Sequence, residues 1–166
     1  YNSEREFKGT LPDSYVLLID QVYGDLSVKY GFGNKKSFNN MLASALSENA
    51  NKKIVIKIHP DVYNRNKTGY FDIKKLEENP RIQIIAEKCH PVRLIRKADA
   101  VYTVASQVGF EALIWGKKVK CFGMPFYASW GLTEDVLPAL KHRKNVSLEQ
   151  LVYAALVKYP IYRDPE

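Results

Sequence analysis

Three short stretches hold the side chains with chemistry to offer. In DQVYGD, Asp20 directly follows the apolar run YVLLI, and Asp25 stands five positions later. A carboxylate just past a buried strand is where α/β folds keep their reacting groups. The plain alternative is that Asp20 caps a turn and Asp25 is an ordinary loop residue. In IVIKIHPD, Lys57 lies near the end of a second apolar run and His59 precedes Pro60. A residue before proline is held extended, so the imidazole projects from the strand's end. It can donate to a phosphate oxygen or a ribose hydroxyl there, and Lys57 can reach the same anion; a solvated histidine is the alternative. In SQVGFEALIWG, Ser106 and Gln107 leave a strand and Gly109 allows a ligand close to the backbone. Glu111 falls one turn into a helix among Phe110, Ala112 and Leu113, where a merely solvated carboxylate is out of place. Free N–H groups and the dipole at that helix start favour an anion.

The loop from Gly123 to Gly131 adds Phe126, Tyr127 and Trp130. They either stack a base and shape a sugar pocket or form a packed aromatic corner; both readings stand.

The elements that must position these groups follow from the hydrophobic pattern. Apolar runs at 15–19, 54–58, 81–85, 99–104 and 118–122 read as five buried strands. Helical patterns lie between and after them. Residues 37–48 carry Phe38, Met41, Leu42, Ala45 and Leu46 on one face, with Ser37 as N-cap. Residues 72–78 form a short helix. In 87–97 Pro91 sits in the first turn and His90 caps it. Residues 109–115 and 148–158 complete the set. Thr133 with Glu134 and Asp135 reads as one further helix start. Alternating strands and helices predict an α/β fold, a parallel sheet with helices on both faces. The loops after strands one, two and four then converge at its C-terminal edge. The basic loop 62–71 offers Arg65 and Lys67 as partners for an anion, or as solvated charges. We expect a linker or tail over 1–14, one domain over 15–160 and a tail over 161–166.

The 166 residues suit a single domain with a full core. With 46% hydrophobic and 26% charged residues the profile is globular. No run approaches the roughly 20 apolar residues of a membrane span. The polar start, YNSEREFKGTLPDS, does not read as a signal peptide, and its lack of Met suggests a fragment. Two cysteines, Cys89 and Cys121, make no disulfide framework and read as small buried hydrophobes in a reducing, cytoplasmic setting. The net charge of +7 admits nucleic acid, an anionic membrane or small anions as partners. The lysines are scattered in pairs rather than gathered in a stripe, and no nucleic-acid motif is present, so nucleic acid is not expected.

The order Ser-Gln, then GFEA, then Gly-Lys-Lys-Val resembles the sugar-nucleotide half of GT-B glycosyltransferases. The longer string with CFGMPFYASWGLTED is similar to the bacterial capsule polysaccharide biosynthesis proteins that transfer Kdo from CMP-Kdo. DQVYGDLSVKYG and KIHPD fit the same family in the same order, so the resemblance runs from Val16 to Asp135. It implies a Rossmann-like domain, one half of a GT-B fold, that binds CMP-Kdo without cofactor or metal. An acceptor, lipid-linked or glycan, is presented by an absent N-terminal half. The protein then works in the cytoplasm, with peripheral contact at the inner membrane as an option, and does little alone. Sialyltransferases, which also use CMP-sugars, carry a His-Pro motif in a similar role. By that resemblance His59 and Lys57 face the CMP phosphate, Glu111 holds the ribose hydroxyls, and Ser106, Gln107, Gly109, Tyr127 and Trp130 complete the donor site. Asp20 is the expected nucleophile of a retaining reaction, with Asp25 as alternative. Two other readings remain: a UDP-sugar epimerase-like half-domain, and a non-enzymatic basic module of a capsule assembly complex.

Overall fold

The computed structural model describes residues 5–64 and 66–160; Arg65 and the tail expected at 161–166 lie outside them. Among the described residues, six parallel strands form one sheet: β1 (Tyr15–Ile19), β2 (Lys53–Lys57), β3 (Ile82–Ile85), β4 (Ala100–Thr103), β5 (Lys118–Cys121) and β6 (Glu134–Asp135). Their order is β3-β2-β1-β4-β5-β6. β1 is central. Val16 pairs with Ile54 of β2 on one side and with Ala100 of β4 on the other.

Among the described residues, seven α-helices flank the sheet: α1 (Leu26–Tyr30), α2 (Lys35–Glu48), α3 (Pro60–Tyr63), α4 (Ile73–Glu77), α5 (Val92–Lys97), α6 (Val108–Ile114) and α7 (Leu148–Tyr153). A π-helical turn, Ala154–Lys158, continues α7. Because successive strand residues face opposite ways, β1 divides its side chains between two cores. Tyr15, Leu17 and Ile19 pack with Leu94 and Ile95 of α5, Phe110 and Leu113 of α6, and Leu151 of α7. Val16 and Leu18 pack with Val28 of α1, Phe38, Met41 and Ala45 of α2, and Leu76 of α4. A strand covered on both faces is why YVLLI is unbroken by any polar residue. The expected parallel sheet with helices on both faces is therefore present.

Several local expectations are corrected. Helix α2 starts two residues before Ser37. Asn34 is its N-cap, its Oδ1 accepting from Lys36 N–H at 2.9 Å, and Ser37 closes a capping box from the third helical position. Pro91, expected in the first turn of α5, is its N-cap, and His90 just before it accepts from Val92 N–H through Nδ1 at 3.3 Å. No helix starts at Thr133. Glu134–Asp135 is a sixth strand, and the Thr133 hydroxyl donates to Asp135 Oδ1 at 2.8 Å. The Glu134 carboxylate is taken by Lys120 at 2.6 Å, so the acidic pair serves a sheet edge rather than a helix dipole. The loop expected over 62–71 begins inside α3, and Lys67 pairs with Asp61 at 3.4 Å. Helix α1 had no counterpart in the sequence reading. Cys89 and Cys121 are both buried and free, and burial pushes both thiols up. Among the described residues, no helix is long and apolar enough to cross a membrane.

Candidate functional site

Strand order reverses at β1, between β2 and β4, and an open α/β sheet gathers its ligands at the C-terminal ends of the strands there. A cavity of about 630 Å³ occupies that place. Its wall comes from four loops: Gln21, Val22, Asp25 and Ser27 after β1, His59 after β2, Ala105 to Val108 and Glu111 after β4, and Phe126 after β5.

Gln21, buried, ties two of these loops together. Its Nε2 donates to Asp25 Oδ2 at 3.2 Å and to Ser27 Oγ at 3.0 Å, and its Oε1 accepts from Ala105 N–H at 3.0 Å. Asp25 N-caps α1, its Oδ1 accepting from Ser27 N–H at 2.8 Å. His59 is half-buried; its Nδ1 accepts from Asp61 N–H at 3.2 Å. Burial lowers its pKa, which favours the neutral imidazole. Ser106 is held by Thr103, whose Oγ1 accepts from Ser106 N–H at 3.1 Å. Glu111 is half-buried and burial raises its pKa. Gln107 is exposed at the start of α6.

Half of the residues expected at the site therefore line the cavity: Asp25, His59, Ser106, Gln107 and Glu111. The other five do not. Asp20 lies beneath the segment Thr68–Tyr70 and is only 1% exposed. Its Oδ1 accepts from Tyr70 N–H at 3.3 Å, while its Oδ2 is buried without a hydrogen-bond partner among the described residues. Burial raises its pKa to about 6, against the lowering influence of the Gln21 and Tyr70 N–H groups and Lys35. Lys57 is buried, with its ammonium donating to the carbonyls of Glu87 at 2.7 Å and Ile58 at 3.2 Å. Burial lowers its pKa. Tyr127 is fully buried and its phenol donates to the Ser106 carbonyl. Trp130 donates from Nε1 to the Phe126 carbonyl at 2.7 Å and carries the Arg143 guanidinium over its ring. So the aromatic loop is chiefly a packed corner, and Phe126 alone of its rings reaches the cavity.

Two expectations about the start of α6 are corrected. Gly109 is glycine because a Cβ there would strike the Tyr127 phenol and Thr103 Cγ2, not to admit a ligand. The first-turn N–H groups are also engaged: Val108 N–H donates to Ser106 Oγ at 3.3 Å, Gly109 N–H to the Ser106 carbonyl at 3.1 Å, and Phe110 N–H to the Gln107 carbonyl at 3.0 Å. Sequence reasoning missed Gln21 and Ser27 as wall residues, while Phe126 was named as a ring that could stack a base. Gln21 had a readable signal, being a polar side chain in the first turn after a buried strand. Among the described residues, no group of three or more His, Cys, Asp or Glu could hold a metal ion.

A family model described as "Capsule polysaccharide biosynthesis protein" matches residues 4–163. The chain belongs to that family. Among its relatives is the capsule polysaccharide modification protein LipA of Neisseria meningitidis serogroup B, 39% identical over 90% of this chain and 22% of LipA. The lipopolysaccharide-processing protein LpsZ of Rhizobium meliloti is 34% identical over 89% of this chain and 33% of LpsZ. The chain thus spans about a fifth to a third of these relatives. Of solved structures, Thermosulfurimonas dismutans KpsC, titled beta Kdo 2,4 transferase, superposes with a TM-score of 0.83 at 40% identity. The match covers 93% of this chain and 49% of that one. The UDP-GlcNAc 2-epimerase of Methanocaldococcus jannaschii, at 21% identity and a TM-score of 0.53, shares the fold.

Proposed function

We propose that this member of the capsule polysaccharide biosynthesis family is the CMP-Kdo-binding half of a retaining β-Kdo glycosyltransferase. One observation carries the reading: the cavity at the strand-order reversal is walled by His59, Ser106, Gln107 and Glu111, all drawn from the motifs that resemble Kdo transferases. The 40% identity to a beta Kdo 2,4 transferase supports it. In this reading the Glu111 carboxylate accepts from the ribose hydroxyls and Phe126 offers a ring to the base. His59 donates a hydrogen bond to the phosphate oxygen that takes the electron pair as the bond to the Kdo anomeric carbon breaks. The sugar becomes oxocarbenium-like. Retention then calls for a carboxylate to bond that carbon before the acceptor hydroxyl displaces it.

Two carboxylates compete for that role. Asp25 faces the cavity already. Asp20, with its orphaned oxygen and raised pKa, has the perturbed environment of a reacting group but lies beneath Thr68–Tyr70. Asp20 stays our first assignment, provided that segment lifts. Asp20→Asn and Asp25→Asn are to be compared in a protein carrying both halves. The nucleophile's variant loses transfer by several orders of magnitude, and normal transfer by Asp20→Asn removes Asp20. The acceptor is a lipid-linked or glycan chain of capsule export, which brings the protein to the cytoplasmic face of the inner membrane.

Calorimetric titration with CMP, and with UMP as control, tests the donor assignment. The expected result is CMP binding that disappears in Glu111→Ala and weakens about threefold in His59→Ala, whose neutral imidazole supplies one hydrogen bond and no charge. Preference for UMP would instead favour the epimerase-like reading.

A further inference from the structure

We propose that the cations which hold the donor's phosphate and sugar carboxylate come from the enzyme's other half, across the cavity mouth. This chain's wall, in turn, holds the neutral, hydroxyl-bearing parts of the donor. The proposal rests on the CMP-Kdo reading.

The wall itself is the reason. Among the described residues no Lys or Arg lines the cavity, although the chain as a whole carries a net +7. The ionisable groups on the wall are Asp25, Glu111 and His59. The carboxylates accept hydrogen bonds but repel anions, and His59, disfavoured in its charged form by burial, brings a donor without a charge. Three of the chain's lysines are committed elsewhere. Lys57 donates to the Glu87 and Ile58 carbonyls, Lys35 to the Tyr70 carbonyl, and Lys67 pairs with Asp61. In the first turn of α6 the N–H groups of Val108, Gly109 and Phe110 do not replace them, because they are satisfied within their own turn. A CMP-sugar of a 2-keto acid carries two negative charges, on the phosphodiester and on the carboxylate. Such charges are bound through cationic donors where they are bound tightly.

The rim indicates where those donors come from. Tyr23, Leu26, Tyr30 and Phe32 are all more than half exposed. In the chain they alternate with and follow the wall residues Val22, Asp25 and Ser27. Large apolar side chains gathered on a surface mark a contact site. The KpsC chains that this one matches are about twice its length, 49% and 48% of each being covered. A basic face on the other half, closing over this rim, completes the site.

The test is the ratio of affinities for CMP and cytidine, measured in this chain and in a protein carrying both halves, at low and moderate salt. In this chain the two ligands are expected to bind within about threefold of each other, with little salt dependence. With both halves present, CMP should gain at least about tenfold over cytidine, and salt should erode that gain. The same CMP preference in this chain as in the two-half protein would overturn the proposal. So would failure of this chain to bind cytidine while the two-half protein binds CMP, a result that leaves the CMP-Kdo reading standing. Failure of both proteins to bind CMP sinks that reading and the proposal with it.

Discussion

At the scale of single residues, Asp20 has the sharpest consequence. Its pKa rises from an ordinary 3.8 to about 6 because the carboxylate is buried with one oxygen unpartnered. The native state therefore keeps a proton between about pH 4 and 6 that the unfolded chain has released. Stability from the neutral form is present in acid and is lost as pH rises through about 6. Two pKa units correspond to about 3 kcal/mol. Asp20→Asn, neutral at every pH, should be more stable than the parent at pH 7.5 by about 1–3 kcal/mol, with the gap closing near pH 4. Urea denaturation at the two pH values reads this directly; an equal gap at both means that burial of the charge is not what perturbs Asp20. If Asp20 is the nucleophile, the same variant gains stability and loses transfer, the trade expected of a strained reacting group. The sequence placed Asp20 correctly at the end of β1 but not its covering. That depends on Thr68–Tyr70, some fifty positions away, and no local pattern announces such a contact. His59 and Glu111 were legible because each sits at a strand end or helix turn whose direction the local sequence dictates. Lys57 was not, because its carbonyl partner on Glu87 belongs to another loop.

At the scale of elements, the β4–α6–β5 unit and the aromatic loop after it act as one piece. The Tyr127 phenol fills the space above Gly109 and donates to the Ser106 carbonyl, so a ring from the loop fixes the turn that carries the cavity wall. Gly109→Ala should cost about 1–3 kcal/mol through overpacking. Tyr127→Phe should cost about 1 kcal/mol for the lost hydrogen bond. Combined, they should cost less than the sum, because removing the phenol oxygen makes room for the new methyl. Strictly additive losses in denaturation midpoints would mean that the two groups do not compete for the same space. The strands were readable as continuous apolar runs, since burial on both faces leaves no alternation to confuse. Helix bounds were less so: Asn34 and Ser37 are both good caps, and only the reciprocal capping box decides between them. The Thr133 signal failed because Asp135, paired with Cys121 across the sheet, offered its hydroxyl a closer acceptor.

At the scale of the whole molecule, the rim of the cavity carries stability costs that this chain alone does not repay. Phe32 is more than half exposed and sits at φ 54°, between Gly31 and Gly33. A non-glycine residue in the left-handed region costs roughly 1–2 kcal/mol, and an exposed ring returns little of it. Asparagine tolerates that region without adding the backbone freedom of glycine. Phe32→Asn should therefore stabilise this chain by about 0.5–1 kcal/mol, which raises Tm by roughly 1–4 °C at this size. The same substitution in a protein carrying both halves should weaken CMP-Kdo transfer severalfold. There the ring belongs to the contact that closes the cavity and brings the missing cations over the phosphate. An unchanged Tm in this chain would show that the backbone at Phe32 is not strained. Undiminished transfer in the longer protein would show that the rim lies outside the interface. Both effects together would explain why a costly conformation is held beside a cavity whose own wall lacks the charge its ligand needs.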